Sequence, residues 1–347
     1  SLANNTTGES NTAIGISSLN RSTTSSYNTA VGADANAWNT TGASNTSVGY
    51  SALNDNTTGT RNIAIGALAY DNADTESDNL AIGYSALGGA INGGEFNLAI
   101  GNYSLDANTT GDYNVAVGDN ALSANTTGNF NTATGSWALV ANTSGVNNTA
   151  IGLEALTADT TANYNTGLGS ETLKANTTGT GNTATGNEAL KANTTANFNS
   201  ALGTYALTAN TTGQDNTSVG YASLAFNTTG SGNTAVGVGS LYENTTASYN
   251  TAIGFEAMAS NWSNGGTDGT NTMTRNVGVG YKAGHDITTG TDNVFIGYQA
   301  GDLLTTGDNN IIIGKDAAFS AVGVDSEIVI GSGATGEGTN TVTLGNS

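Results

Sequence analysis

The sequence predicts an all-β protein, a parallel β-solenoid of about twenty seventeen-residue coils. Three observations predict it. The phrase Asn-x-small-x-Gly returns at Asn11, Asn28, Asn45, Asn62 and Asn79, each step seventeen residues. A copy of that length is too short for two packed helices but holds short strands and turns. The 347-residue chain has 49 Gly and no Pro, and Pro would delete a ladder hydrogen bond in every coil it touched.

The copies organise the whole chain. One residue is added before Asn97, and the step of seventeen resumes through Asn114, Asn131, Asn148, Asn165, Asn182, Asn199, Asn216, Asn233 and Asn250. Nine inserted residues delay the next anchor to Asn276; Asn293 and Asn310 follow at seventeen, and EIVIG (327–331) and TVTLG (341–345) close the series. The wording divides the chain into N-terminal repeats over 1–260, an inserted loop over 261–275 and C-terminal repeats of the NVFIGYQAG type over 276–347. The chain begins at Ser1 rather than Met, which predicts a processed or excised piece of a longer protein.

Within one copy the consensus is N-T-A-I-G-x-x-A-L-x-x-N-T-T-G-x-x. The first strand is the run after the anchor Asn. Its second and fourth places carry Thr, Val, Leu or Ile and its third is small, so alternation sends the large and small sets to opposite faces. A second short strand is expected at Ala-Leu, as in Ala121-Leu122, Ala189-Leu190 and Ala206-Leu207. Turns are expected at the anchor Gly (Gly118, Gly135) and at NTTG (Gly111, Gly128, Gly213), where Gly tolerates positive φ and Asn caps the bend. One coil buries almost nothing alone, so stability must come from neighbour interfaces. The anchor Asn is expected to form a ladder through Asn114, Asn131, Asn148, Asn165, Asn182 and Asn199, with amides bonding up the stack at about 4.8 Å spacing. Twenty coils at that rise would make a rod roughly 100 Å long.

The NTAIG and NTAVG strands, followed by AL and NTTG, resemble the head repeats of YadA-like trimeric autotransporter adhesins. NVGVGYKAG (276–284), NVFIGYQAG (293–301), NNIIIG (309–314) and the closing SEIVIGSGATGEGTNTVTLGNS resemble the repeat stalk of chaperone-matured phage tail fibres and bacterial surface proteins. The resemblance implies a left-handed β-roll in which three identical chains pack around one axis. It also implies an extracellular setting, on a bacterial surface or a virion tail fibre. The residues are compatible with that packing. A thin roll has room inside for the Ala row, which leaves an apolar Ile/Val/Leu row outside, and a long exposed apolar stripe is a poor surface for a soluble monomer. The opposite arrangement, with the large residues inside a monomer, stays open at this point. The seventeen-residue period departs from the shorter repeat of the adhesin heads.

Chemistry has few groups to use. Seven Lys and Arg against a net charge of −20 argue against a nucleic-acid partner. No stretch approaches the ~18 apolar residues of a membrane-spanning helix. Without Cys, and with His285 as the only His, thiol catalysis and a zinc site have no ligands; His285 is expected at the surface of a turn. The expectation is a non-enzymatic protein with no resident cofactor. Glu154, Glu171 and Glu188 hold one place in three successive copies, with Lys174 and Lys191 three residues after two of them. They would form a solvated face, a salt-bridge ladder or a cation site for calcium. Tyr27, Phe96, Tyr113, Phe130, Tyr164, Phe198 and Tyr249 precede anchor Asn residues and skip every second copy from Phe130 to Phe198. They would be a packing strip or a row for sugar rings. Trp262 and Asp268 lie in the insertion, and loops on rigid scaffolds often carry recognition. The function expected is a structural fibre or adhesin segment that presents a receptor-binding tip to a host-surface glycan or protein. The alternative is an ice-binding or glycan-binding solenoid surface.

Overall fold

Each copy yields one regular element, a three-residue strand over its second to fourth places. The computed structural model describes residues 1–90, 92–260 and 271–345. The chain forms two compact units, Ser1–Ser170 and Glu171–Ser347. The first holds strands β1 (Thr12–Ile14) to β10 (Thr166–Leu168) and the second β11 (Thr183–Thr185) to β20 (Val342–Leu344). Every strand pairing within each unit is parallel. In the first unit Val115, Ala116 and Val117 of β7 pair with Thr132, Ala133 and Thr134 of β8. In the second, β15 (Thr251–Ile253) pairs with β16 (Val277–Val279) through Thr251 and Val277, so the nine inserted residues leave the register intact. Each unit is therefore an all-parallel β-solenoid.

The strand faces follow the sizes of the side chains. Ala116 and Ala133 are fully buried, while their flanking second- and fourth-place residues are only partly covered. In the NTAIG-type copies the small row is inside and the larger aliphatic and Thr row is outside, which decides the question the sequence left open.

The expected second strand does not form. Ala121 and Leu122 lie in a turn, and both are 0% exposed. Adjacent residues of a strand point to opposite faces, so a strand could not bury both. Leu122 instead takes φ 53°, a left-handed conformation that costs an L-residue roughly 1–2 kcal/mol. That twist turns the leucine inward beside the alanine. Its N–H still bonds up the stack, to the carbonyl of Ala138 at 2.9 Å. The same backbone state recurs at Leu139, Leu156, Leu173 and Leu190.

The two glycines of a copy are required for different reasons. Gly118 has φ 140°, and a Cβ there would lie 2.6 Å from the carbonyl oxygen of Gly135. Gly128, in NTTG, is not in a positive-φ conformation, contrary to expectation. A Cβ there would lie 2.4 Å from the carbonyl oxygen of Gly145 and 2.5 Å from Asn125 Oδ1, so close approach of the next coil is what demands glycine.

Candidate functional site

The anchor ladder exists, with the expected amide-to-amide bonds, such as Asn131 Nδ2 donating to Asn114 Oδ1 at 3.3 Å and Asn216 Nδ2 to Asn199 Oδ1 at 3.1 Å, and with backbone bonds that were not expected. Asn114 Oδ1 accepts from the backbone N–H of Asn131 at 3.0 Å, and its Nδ2 donates across the coil to the carbonyl of Gly128 at 2.8 Å. Asn131 does the same toward Asn148 and Gly145, and Asn148 toward Asn165 and Ala162. In the second unit Asn182 accepts from the Asn199 N–H at 3.0 Å, and Asn199 donates to Gly213 at 2.8 Å. Each anchor thus joins a coil to its neighbour and also staples the coil's own two sides. Asn165 Nδ2 reaches the carboxylate of Asp159.

A second run of amide-to-amide bonds lies one corner away. The Asn of NTTG is buried, and Nδ2 of Asn125 donates to Asn108 Oδ1 at 2.9 Å, while Asn142 donates to Asn125 at 2.9 Å. The Asn193–Asn176 pair repeats this in the second unit. A third ladder runs at the sixteenth place of the copy. There Asp112, Asn129, Asn163 and Asn197 accept from the backbone N–H of the residue seventeen before them. The recurrence of Asn, Asp and Ser at these places was the signal available in the sequence.

The carboxylate column is an ion-pair ladder in the second unit. Lys191 Nζ lies 2.6 Å from Glu171 and 3.1 Å from Glu188, and Lys174 lies 3.5 Å from Glu171. The Lys191 hydrogen bond holds the Glu171 carboxyl below its ordinary range. These side chains are partly exposed, so solvent screens the pairs and they add little to stability. Ammonium groups stand where a cation would have to bind. Glu154 occupies the equivalent place in the first unit. Among the described residues no group of three His, Asp or Glu side chains could hold a metal ion.

The aromatic row splits into two arrangements. Phe96, Tyr113 and Phe130 stack face to face at 4.8 Å and 5.3 Å, which covers both faces of Tyr113. Phe198 and Tyr249 instead lie against Gly181 and Gly232 of the preceding copies, so a ring spans two coils and the preceding copy need not supply one. Tyr164 is exposed. A second stack, Phe255, Tyr281 and Tyr298, occupies the sixth place, with centroids 5.4 Å and 4.9 Å apart. Sequence reasoning missed it. Trp262 and Asp268 lie outside the described residues.

His285 is not a surface group. It is 8% exposed; its Nδ1 lies 2.6 Å from Asp286 Oδ1, and its Nε2 lies 3.7 Å from the Glu256 carboxylate, which Lys282 meets at 3.0 Å. These residues, the Glu–Lys ladder and the sixth-place stack share one corner of the copy, its sixth to eleventh places. Two cavities open at that corner. One of about 370 Å³ in the first unit is bounded by Arg21, Asp34, Trp38 and Tyr50, with the Arg21 guanidinium 3.3 Å over the Trp38 ring. The other, about 250 Å³, is in the second unit between Tyr205, Tyr221, Phe226 and Tyr242.

The threonines of NTTG divide by role. Thr126 Oγ1 donates to the Thr143 carbonyl at 2.9 Å, whereas Thr127 is exposed. One hydroxyl column is therefore spent inside the stack. No helix among the described residues is long and apolar enough to cross a membrane. No family model matches the chain, and no curated protein matches it significantly. The class that the structure itself defines is the all-parallel β-solenoid repeat protein.

Proposed function

We propose that this chain is a structural segment of an extracellular fibre, on a bacterial surface or a virion tail, in which three copies pack along a common axis as left-handed coils. The observation that carries the reading is the outward aliphatic row. Ile65 and Ile151 in the first unit, and Leu202 and Ile253 in the second, are 38% to 53% exposed although they sit on the paired strand of the coil. Their partners along each stack are also aliphatic or Thr. A repeated apolar face of this kind is matched by an identical face on another copy. The backbone of each coil is already paired above and below, so side-chain packing is what remains to join chains. The fibre would hold a receptor-binding tip, for a surface glycan or protein, at a fixed distance. It would perform no catalysis.

Light scattering on the purified chain tests this. A mass of three chains is the expected result, and Ile65→Asp with Ile151→Asp should lower it. A monomer with the native circular dichroism spectrum would end the fibre reading.

A further inference from the structure

The corner that gathers the cavities is the part of the copy with the least repetitive chemistry, and one of its cavities has the features of a ligand site. Copies anchored at Asn199, Asn216 and Asn233 place Tyr205, Tyr221, Phe226 and Tyr242 around a floor made by Ala222 and Ala225. We propose that this cradle binds one neutral pyranose ring of a glycan.

The ring geometry is the first argument. Tyr205 and Tyr221 meet edge to face at 6.0 Å and 80°, and Phe226 and Tyr242 at 4.9 Å and 85°. In the Phe96–Tyr113–Phe130 stack the faces are consumed by neighbouring rings. Here Tyr221 and Phe226 are not sandwiched between parallel rings, and each is 49% exposed. The negative face of an aromatic ring attracts the weakly positive C–H face of a pyranose. Size is the second argument: about 250 Å³ lies just under the usual small-ligand range of ~300–1,000 Å³, room for one ring and not for a folded peptide. Charge is the third. No ionisable acid or base other than tyrosine lines the cradle, and a chain of net charge −20 repels anionic sugars. The Tyr205, Tyr221 and Thr208 hydroxyls supply the few polar groups that orient a ligand in an otherwise apolar pocket. The first unit's cavity lacks this character, because Arg21 covers its Trp38 ring and Asp34 adds charge.

The inference goes beyond the fibre reading and is tested separately from it. Saturation-transfer NMR on the intact chain, with methyl β-glucopyranoside, methyl β-galactopyranoside, cellobiose, glucuronate and cyclohexanol as probes, reads it out. At least one neutral sugar should receive saturation on its C–H face, glucuronate should not, and Tyr221→Leu or Phe226→Leu should weaken binding tenfold or more. These variants keep apolar bulk and remove the ring face, and their circular dichroism should match the parent. Tyr113→Leu should leave binding unchanged. Absence of binding by every neutral sugar, equal binding of cyclohexanol, or an unchanged affinity in both cradle variants would overturn the proposal, whatever the chain's mass in solution.

Discussion

The copy anchored at Asn114 and the copy anchored at Asn293 fill the same interior with opposite choices. In the first, the third place is Ala116 and the ninth is Leu122, both fully buried. In the second, the third place is Phe295, also fully buried, and the ninth is Gly301. The exchange is steric. A Cβ on Gly301 would lie 2.5 Å from the Phe295 ring, and one on Gly284, in the preceding copy, 2.4 Å. The twelfth place changes with them, from Asn125 to Ile287 and Leu304, all buried. Interiors pack at nearly constant density, so a coil can carry its bulk on the strand or on the turn but not on both. The change in wording between NTAIG-AL and NVFIGYQAG is therefore one core in two volume-matched forms, and the fold does not change.

The strongest way to break this comparison is to take the bulk out of the second form. Phe295→Ala should cost ~3–5 kcal/mol by chemical denaturation, and adding Gly301→Leu should recover a substantial part, since leucine is accommodated at this backbone position in Leu122. If the double variant is no more stable than the single one, volume exchange is not what distinguishes the two forms. In the first form, Leu122→Ala should cost ~2–5 kcal/mol with no such rescue.

The polar column of the first form is tested next. Asn125→Ala removes bonds to Asn108, Gly128 and Asn142 and should cost ~1–3 kcal/mol, because buried partners lose their bonds. A neutral result would mean that the twelfth-place amides are dispensable, as the aliphatic copies already suggest for the fold. Asn36 sharpens the point from the other side. It replaces leucine in the ninth place between Leu19 and Leu53, is 0% exposed, and neither of its amide atoms has a hydrogen-bond partner. Asn36→Leu should stabilise the chain by ~1–2 kcal/mol, read as a raised melting temperature.

The smallest effect lies at the outer corner. Burial pushes the Asp71 carboxyl up to about 6, with Asp55 and Asp106 adding repulsion. Its folded value lies above its unfolded value, so the neutral acid is favoured by folding. That stabilisation is complete below about pH 4 and is lost as the pH rises through about 6. The melting temperature of Asp71→Asn should therefore exceed that of the parent more at pH 7 than at pH 4. An equal difference at both values would show that the corner is well solvated.

Much of the architecture was legible in letters. The period, the register and the need for glycine at Gly118 follow from recurrence and size. The Ala-Leu corner was misread because strand alternation was assumed where Leu122 takes a left-handed turn. The reason for Gly128 was misread because propensity points to φ, while the cause is a carbonyl of the next coil. His285 looked like a surface residue because a turn in sequence need not be a turn in water; here Glu256 and Lys282, from two neighbouring copies, meet beside it. The amide ladder at the anchor was legible, but the second one at Asn125 was missed, because recurrence marks a column without saying which atoms face one another.

The sequence by itself determined that like coils stack in parallel, since a seventeen-residue unit of short strands and turns has nowhere to satisfy its backbone except on its neighbours. Only the tertiary structure decided which side chains face in, which amide meets which carbonyl, and which aromatic rings keep a face open. Those outcomes depend on contacts between residues seventeen apart, where a few tenths of an ångström separate a bond from a clash.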